Sequence, residues 1–175
     1  MNTAQAERVV PLLLDFFGPP RGSYRLVEAY CGIGTFSLPL ARAGHALLGL
    51  ELHVASVQQA RDNARRNGLA DLVEFREGDV ADHLAQALAT GNAQGLLVDP
   101  PRKGLPPEVL NLILATPPER VAYISCNPDT LARDLEQLCQ TPEYPERPYR
   151  LQLVQPIDFF PQTSHVETVV LLLRV

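Results

Sequence analysis

A single cysteine stands where an apolar run meets a helix start: Val121 to Ile124 lead into Ser125-Cys126-Asn127-Pro128. The first turn of a helix carries unpaired N–H groups and the positive end of its dipole. A thiol placed there tends to ionise, and the thiolate is the nucleophilic form. Glu167 follows Ser164-His165-Val166 at the start of the last apolar stretch, where an inward acid can take a proton. His165 either orients that acid or is a loop histidine. A third element, Asp99-Pro100-Pro101-Arg102-Lys103-Gly104, leaves another apolar run. Its two prolines stiffen the exit and aim Asp99 into the adjoining cleft, and Arg102 and Lys103 suit a phosphate or a base carbonyl. A nucleophile, a proton acceptor and a cation are the parts for covalent chemistry on a base.

A second ligand is suggested by Tyr30-Cys31-Gly32-Ile33-Gly34-Thr35. Glycines after a first strand let a ligand approach the backbone at a helix N-terminus. The third glycine of the dinucleotide fingerprint is missing, which disfavours NAD. Glu51 falls at the end of the second apolar strand, where a carboxylate can accept both hydroxyls of a ribose. Asp79 is placed to accept from an adenine amino group. Each has a plainer reading: a tight turn, a solvated strand-end acid, and Gly-Asp turn chemistry. Cys31 and Cys139 read as small buried hydrophobes.

The elements that must position these residues alternate. Helical spacing runs from Ala4 to Phe17 and stops at Gly18-Pro19-Pro20. Strands are expected at Arg25–Tyr30, Ala46–Glu51, Val73–Arg76, Gly95–Val98 and Val121–Ser125. Between them lie helices at Thr35–Ala43, Val54–Asn67, Val80–Ala89 and Pro107–Ala115. Asn127 caps a further helix, with Pro128 at its first position, that continues over Asp129–Cys139. A loop with Pro142, Pro145 and Pro148 leads to Arg150–Val154 and Val166–Arg174, an antiparallel pair with no helix between. Five alternations followed by a hairpin describe a doubly wound α/β sheet. Such sheets bind ligands at the carboxyl ends of their strands, so Tyr30, Glu51, Asp79, Asp99 and Cys126 should line one rim.

At 175 residues with 46% hydrophobic content, the chain can bury one domain's core. A net charge of −5 argues against a broad nucleic-acid-binding surface. No apolar run is long enough to span a bilayer, and Met1 to Glu7 lacks the blocks of a signal peptide. Three widely spaced cysteines form neither a disulfide framework nor a zinc cage, which points to a reducing cytoplasm.

These stretches together resemble the catalytic domain of the RNA uracil-C5 methyltransferases, enzymes that use S-adenosylmethionine (SAM) to make 5-methyluridine in tRNA or rRNA. The resemblance is carried by Tyr30 through Leu40, Gly49-Leu50-Glu51, Asp99 through Gly104, Tyr123 through Pro128, and His165 through Val169, in family order over nearly the whole chain. It implies a Rossmann-like class I methyltransferase fold, a seven-stranded and mostly parallel sheet ending in an antiparallel hairpin. By the same resemblance Tyr30, Gly32, Gly34, Thr35, Glu51, Asp79 and Asp99 hold SAM, with S-adenosylhomocysteine as product. Asp99 and Arg102 hold the base, Cys126 is the nucleophile, and Glu167 accepts the proton. No metal and no iron–sulfur cluster is implied. The family's N-terminal RNA-binding β-barrel and central domain have no counterpart here, and Asn2-Thr3 looks like the remnant of a preceding glutamine motif. Residues 1–175 therefore read as a catalytic domain, with RNA as partner, a separate RNA-binding chain as a candidate second partner, and no membrane. Two alternatives stay open. One is a SAM-binding module with little or no activity; the other is a methyltransferase of another class, in which Cys126 only packs.

Overall fold

In the computed structural model, residues 3–22, 24–91, 93–158 and 166–175 are described. Strand and helix alternate as β1 (Arg25–Ala29), α2 (Ser37–Arg42), β2 (Ala46–Glu51), α3 (Val54–Arg66), β3 (Val73–Glu77), α4 (Val80–Ala89), β4 (Ala93–Val98), α5 (Pro107–Ala115), β5 (Arg120–Ser125) and α6 (Pro128–Leu138). A leading helix, α1 (Thr3–Phe17), precedes them, and β6 (Tyr149–Ile157) and β7 (Glu167–Arg174) close the chain. The sheet order is β3-β2-β1-β4-β5-β7-β6. The first five strands are parallel, and β7 runs antiparallel between β5 and β6.

The inner strands are buried on both faces, so neighbouring residues feed different cores, as the twofold period of a strand requires. Leu26, Leu47, Phe75, Leu97 and Ile124 face one layer with Val9, Leu13 and Phe16 of α1, Leu40 of α2 and Val57 of α3. Val27, Leu48, Leu96, Val98 and Tyr123 face the other, with Leu84 of α4, Ile113 of α5 and Leu131 of α6. The reversal of strand order lies between β1 and β4, the place where sheets of this kind bind their ligands.

Most element boundaries lie within one or two residues of the sequence expectation, and three departures have a local cause. Helix α2 begins at Ser37 rather than Thr35, because the glycine turn extends through Phe36. Strand β1 stops at Ala29, and Tyr30 has a left-handed backbone, with φ of 66°. Strand β6 runs to Ile157, three residues past the alternating stretch Arg150–Val154. A register shift between Leu151 and Leu153 turns its faces midway and breaks the alternation that a sequence reading relies on.

Gly49 is required by close packing. A Cβ on it would lie 2.5 Å from the Phe75 ring and 2.9 Å from Cys31 Sγ. Neither neighbour has room to withdraw, since both are buried beneath α2 and α3. Gly49→Ala should therefore lower stability by about 1–3 kcal/mol through overpacking. Urea denaturation of the two proteins measures it, and an unchanged midpoint would show that the ring can move aside.

Candidate active site

The glycine turn is held by a carboxylate rather than by backbone alone. Glu51, at the end of β2, is buried. One of its oxygens accepts from Gly32 N–H at 3.0 Å and the other from His53 N–H at 2.8 Å. Each oxygen keeps a lone pair for a further donor. Gly32 and Gly34 have φ of 53° and 84°, a conformation that suits glycine. A side chain on Gly32 would meet no atom within 4 Å, so the turn faces open space. Asp79 is first of all the N-cap of α4, accepting from Ala81 N–H at 2.7 Å with one of its oxygens. The Tyr30 phenol is pushed up to about 12, by burial first and then by Asp79.

Between the turn and the cysteine lies an acidic crevice. Asp99 follows β4 directly, and its N–H donates to Ala29 O. Burial, with Glu167 opposite, pushes its carboxyl up to about 7. Glu28, almost wholly buried in β1, is pushed up to about 8 by burial and by Asp99, although the Ser37 hydroxyl donates to it. Glu167, half-buried at the start of β7, is raised by burial and opposed by Arg102. Glu28 is not among the residues that the sequence pattern singles out. The available signal was an acid within a strand whose neighbours Val27 and Ala29 are both apolar.

Cys126 closes the rim beyond β5. It is half-buried and belongs to neither apolar core, whereas Cys31 and Cys139 are buried within them. Burial raises the thiols of both, that of Cys139 to about 11. The backbone around Cys126 is fixed on both sides. The Ser125 hydroxyl accepts from Asn127 N–H and donates to Asn127 O, and the Asn127 side chain accepts from Asp129 N–H as the N-cap of α6. The register of β5 against β7 ends at Ser125 and Thr168. Cys126 follows β5 directly and Glu167 precedes Thr168 on β7, so the two residues stand next to the same end of this strand pair.

The loop 99–104 is tied to the cysteine loop. Arg102 O accepts from the Asn127 side-chain amide at 3.0 Å and from the Thr130 hydroxyl at 3.2 Å. Tyr30, Gly32, Gly34, Thr35, Glu51, Asp79, Asp99, Arg102, Cys126 and Glu167 all fall in the turns and strand ends at this one edge of the sheet. His165 and Asn2 lie outside the described residues. Among the described residues no group of three or more His, Cys, Asp or Glu gathers as a metal cluster would, and no helix is long and apolar enough to cross a membrane.

A sheet of this order, with a glycine turn after β1 and an acid ending β2, defines a Rossmann-like methyltransferase fold of class I. The profile of the tRNA (uracil-5-)-methyltransferase family matches residues 2–175, and the chain belongs to that family. An uncharacterised RNA methyltransferase of Parasynechococcus marenigrum is 50% identical over the whole chain, and one of Streptococcus pyogenes is 38% identical over 99% of it. The chain spans 36% of the length of each. Among solved structures, the Pyrococcus abyssi tRNA (uracil-54, C5)-methyltransferase in complex with S-adenosyl-L-homocysteine superposes with a TM-score of 0.78 at 29% identity. That match covers 97% of this chain and 38% of the other. The magnesium protoporphyrin IX methyltransferase of Synechocystis, with bound SAM, matches at a TM-score of 0.70 and 16% identity, covering 98% of this chain and 79% of the other, a likeness of fold.

The buried acids give the site a pH signature. Glu28 titrates near 4.5 when unfolded and at about 8 when folded, so between those values the folded state binds more protons. Its contribution to stability is complete below about 4.5 and is lost as pH rises through about 8. Asp99 acts in the same direction. Glu28→Gln should flatten this slope, so that the variant gains on wild type by an amount on the order of 1–3 kcal/mol between about pH 5 and pH 9. Urea unfolding across that range tests it, and equal slopes would mean that Glu28 holds no proton.

Proposed function

We propose that this chain is the catalytic domain of an enzyme that methylates C5 of a uridine in tRNA or rRNA through a covalent bond from Cys126 to C6. The observation that carries the proposal is the placement of a half-buried thiol and a carboxyl group at the same end of one strand pair, across a crevice from the glycine turn. Family membership and the likeness to a tRNA uracil-54 C5 methyltransferase support it.

The glycine turn fits SAM. Gly32 leaves the backbone open to a ligand, Gly34 lets the turn close over the Phe75 ring, Thr35 follows in the same turn, and Tyr30 flanks it. Glu51 offers lone pairs to ribose hydroxyls while holding the turn, and the oxygen of Asp79 not engaged as a cap suits an adenine amino group. When bound, SAM supplies an electrophilic methyl group on a sulfonium. Asp99 lies between this half of the cleft and the uracil half, within reach of either ligand.

Uracil C5 is a poor nucleophile until something adds at C6. The Cys126 sulfur forms a bond to C6, and the electron pair of the C5–C6 double bond moves onto C5 and its conjugated carbonyl. Arg102 holds the base at that carbonyl side. Once C5 carries the new methyl, Glu167 removes its remaining proton. The pair left on C5 re-forms the double bond and the sulfur leaves. Burial raises the Glu167 carboxyl above the usual carboxylate range, against the opposing pull of Arg102, which makes it a stronger base than a free glutamate. The base must leave its stack to enter, so the substrate is a loop or a flipped nucleotide. Gripping that RNA falls to polypeptide beyond this domain, on the same or a separate chain. The net charge of −5 and the 36% share of the relatives' length support that division.

The test is incubation with labelled SAM and unmodified RNA, followed by nucleoside analysis. 5-Methyluridine is expected, and label in any other nucleoside would refute the proposal. Glu167→Gln should slow turnover about 10²–10⁴-fold and accumulate a stable protein–RNA adduct with ordinary uridine. Fast turnover without adduct would assign the proton to another group.

A further inference from the structure

Asp134 and Arg133 lie on α6, outside the rim, and the proposed reaction gives them no part. Asp134 is completely buried, an unusual place for a carboxyl group. Oδ2 accepts from Leu105 N–H and from the Tyr123 hydroxyl, each at 2.7 Å. Oδ1 accepts from Nε and a terminal nitrogen of Arg133 at 2.9 and 2.7 Å. That terminal nitrogen also donates to Lys103 O at 3.0 Å. Gly104 threads between them: a Cβ there would lie 2.6 Å from Asp134 Oδ2 and 2.7 Å from the guanidinium, and its φ of 76° favours glycine.

Every loop contact of this cluster falls on residues 103–105, directly after Arg102. The same helix begins one residue beyond Asn127, whose side chain, with that of Thr130, binds Arg102 O. Helix α6 thus grips the loop at two points, one beside the thiol and one a helical turn further on. The SAM half of the cleft is anchored separately, by Glu51 on Gly32 and by Asp99 N–H on Ala29 O.

We propose that Arg133 and Asp134 are positioning residues that fix the Arg102 loop to α6, the helix that begins two residues after Cys126, so that base clamp and thiol move as one unit. The pair sets the geometry of the uracil half alone, and the inference rests on the uridine reading above. Arginine is needed because its planar fork reaches a carboxylate and a carbonyl together, which a lysine ammonium does not.

Arg133 is half-exposed but pairs with a fully buried carboxylate, so thermal unfolding first establishes that each variant folds. Arg133→Ala should reduce the methyl-transfer rate about tenfold or more, with an intermediate rate for Arg133→Lys. A displacement of about 1 Å is enough for such losses. Binding of S-adenosylhomocysteine, followed by calorimetry, should stay within about twofold of wild type, the usual scatter for an uncoupled site. Hydrogen exchange at residues 103–105 should accelerate in the alanine variant while the strands stay protected. Wild-type transfer rates in Arg133→Ala, or a loss of S-adenosylhomocysteine affinity that tracks the loss of rate, would overturn the proposal. If wild type methylates no uridine, the function reading fails instead. The exchange data then decide the clamp: faster exchange confined to residues 103–105 upholds it, and unchanged exchange refutes it.

Discussion

The pairing of β7 with β5 governs what the rim can do. A last strand added parallel to the others would begin at the far end of the sheet and leave Glu167 remote from the thiol. Running antiparallel between β5 and β6, it begins where β5 ends. The insertion is held by side chains buried on both faces, Val169 and Leu171 toward one core and Val170 and Leu172 toward the other. A slip of one residue would exchange these sets, so the packing that stabilises the sheet also fixes the acid beside Cys126.

The crevice between these strands concentrates acids. Glu28, Asp99 and Glu167 are all raised, by burial first, and the cation set against Glu167 is Arg102. Protonation relieves such a cluster when the cleft is empty, and a cationic ligand relieves it by charge. In the proposed reaction, a sulfonium-bearing cosubstrate and a base held by Arg102 would answer the two ends of that arrangement. The loop that carries Arg102 is in turn fixed to α6 through Asn127, Thr130, Arg133 and Asp134, so the electrostatics rest on hydrogen bonds to backbone carbonyls.

Much of this was legible in the sequence because it rests on local signals. The alternation of apolar strands and amphipathic helices, the Asn127-Pro128 helix start and the prolines after Asp99 each reflect a backbone requirement, and each element lies where that requirement put it. Glu167 was readable as an acid opening the last strand, but its place beside Cys126 depends on strand order, which no local pattern encodes. The extension of β6 to Ile157 was hidden by the register shift past Leu151. The role of Asp134 was illegible for another reason. On a helix, an Arg-Asp pair reads as a solvated face, and only tertiary contact with Gly104 and Leu105 reveals a buried clamp.

The central claim is that the Cys126 sulfur bonds to C6 of a pyrimidine while the methyl is transferred. Mass spectrometry after incubation with SAM and RNA containing 5-fluorouridine tests it most directly, because fluorine at C5 cannot leave as a proton does. The account predicts a methylated fluoropyrimidine nucleotide attached to the peptide bearing Cys126, and none with Cys126→Ala. Wild-type yields of 5-methyluridine from Cys126→Ala on normal RNA, with no adduct in either protein, would contradict it.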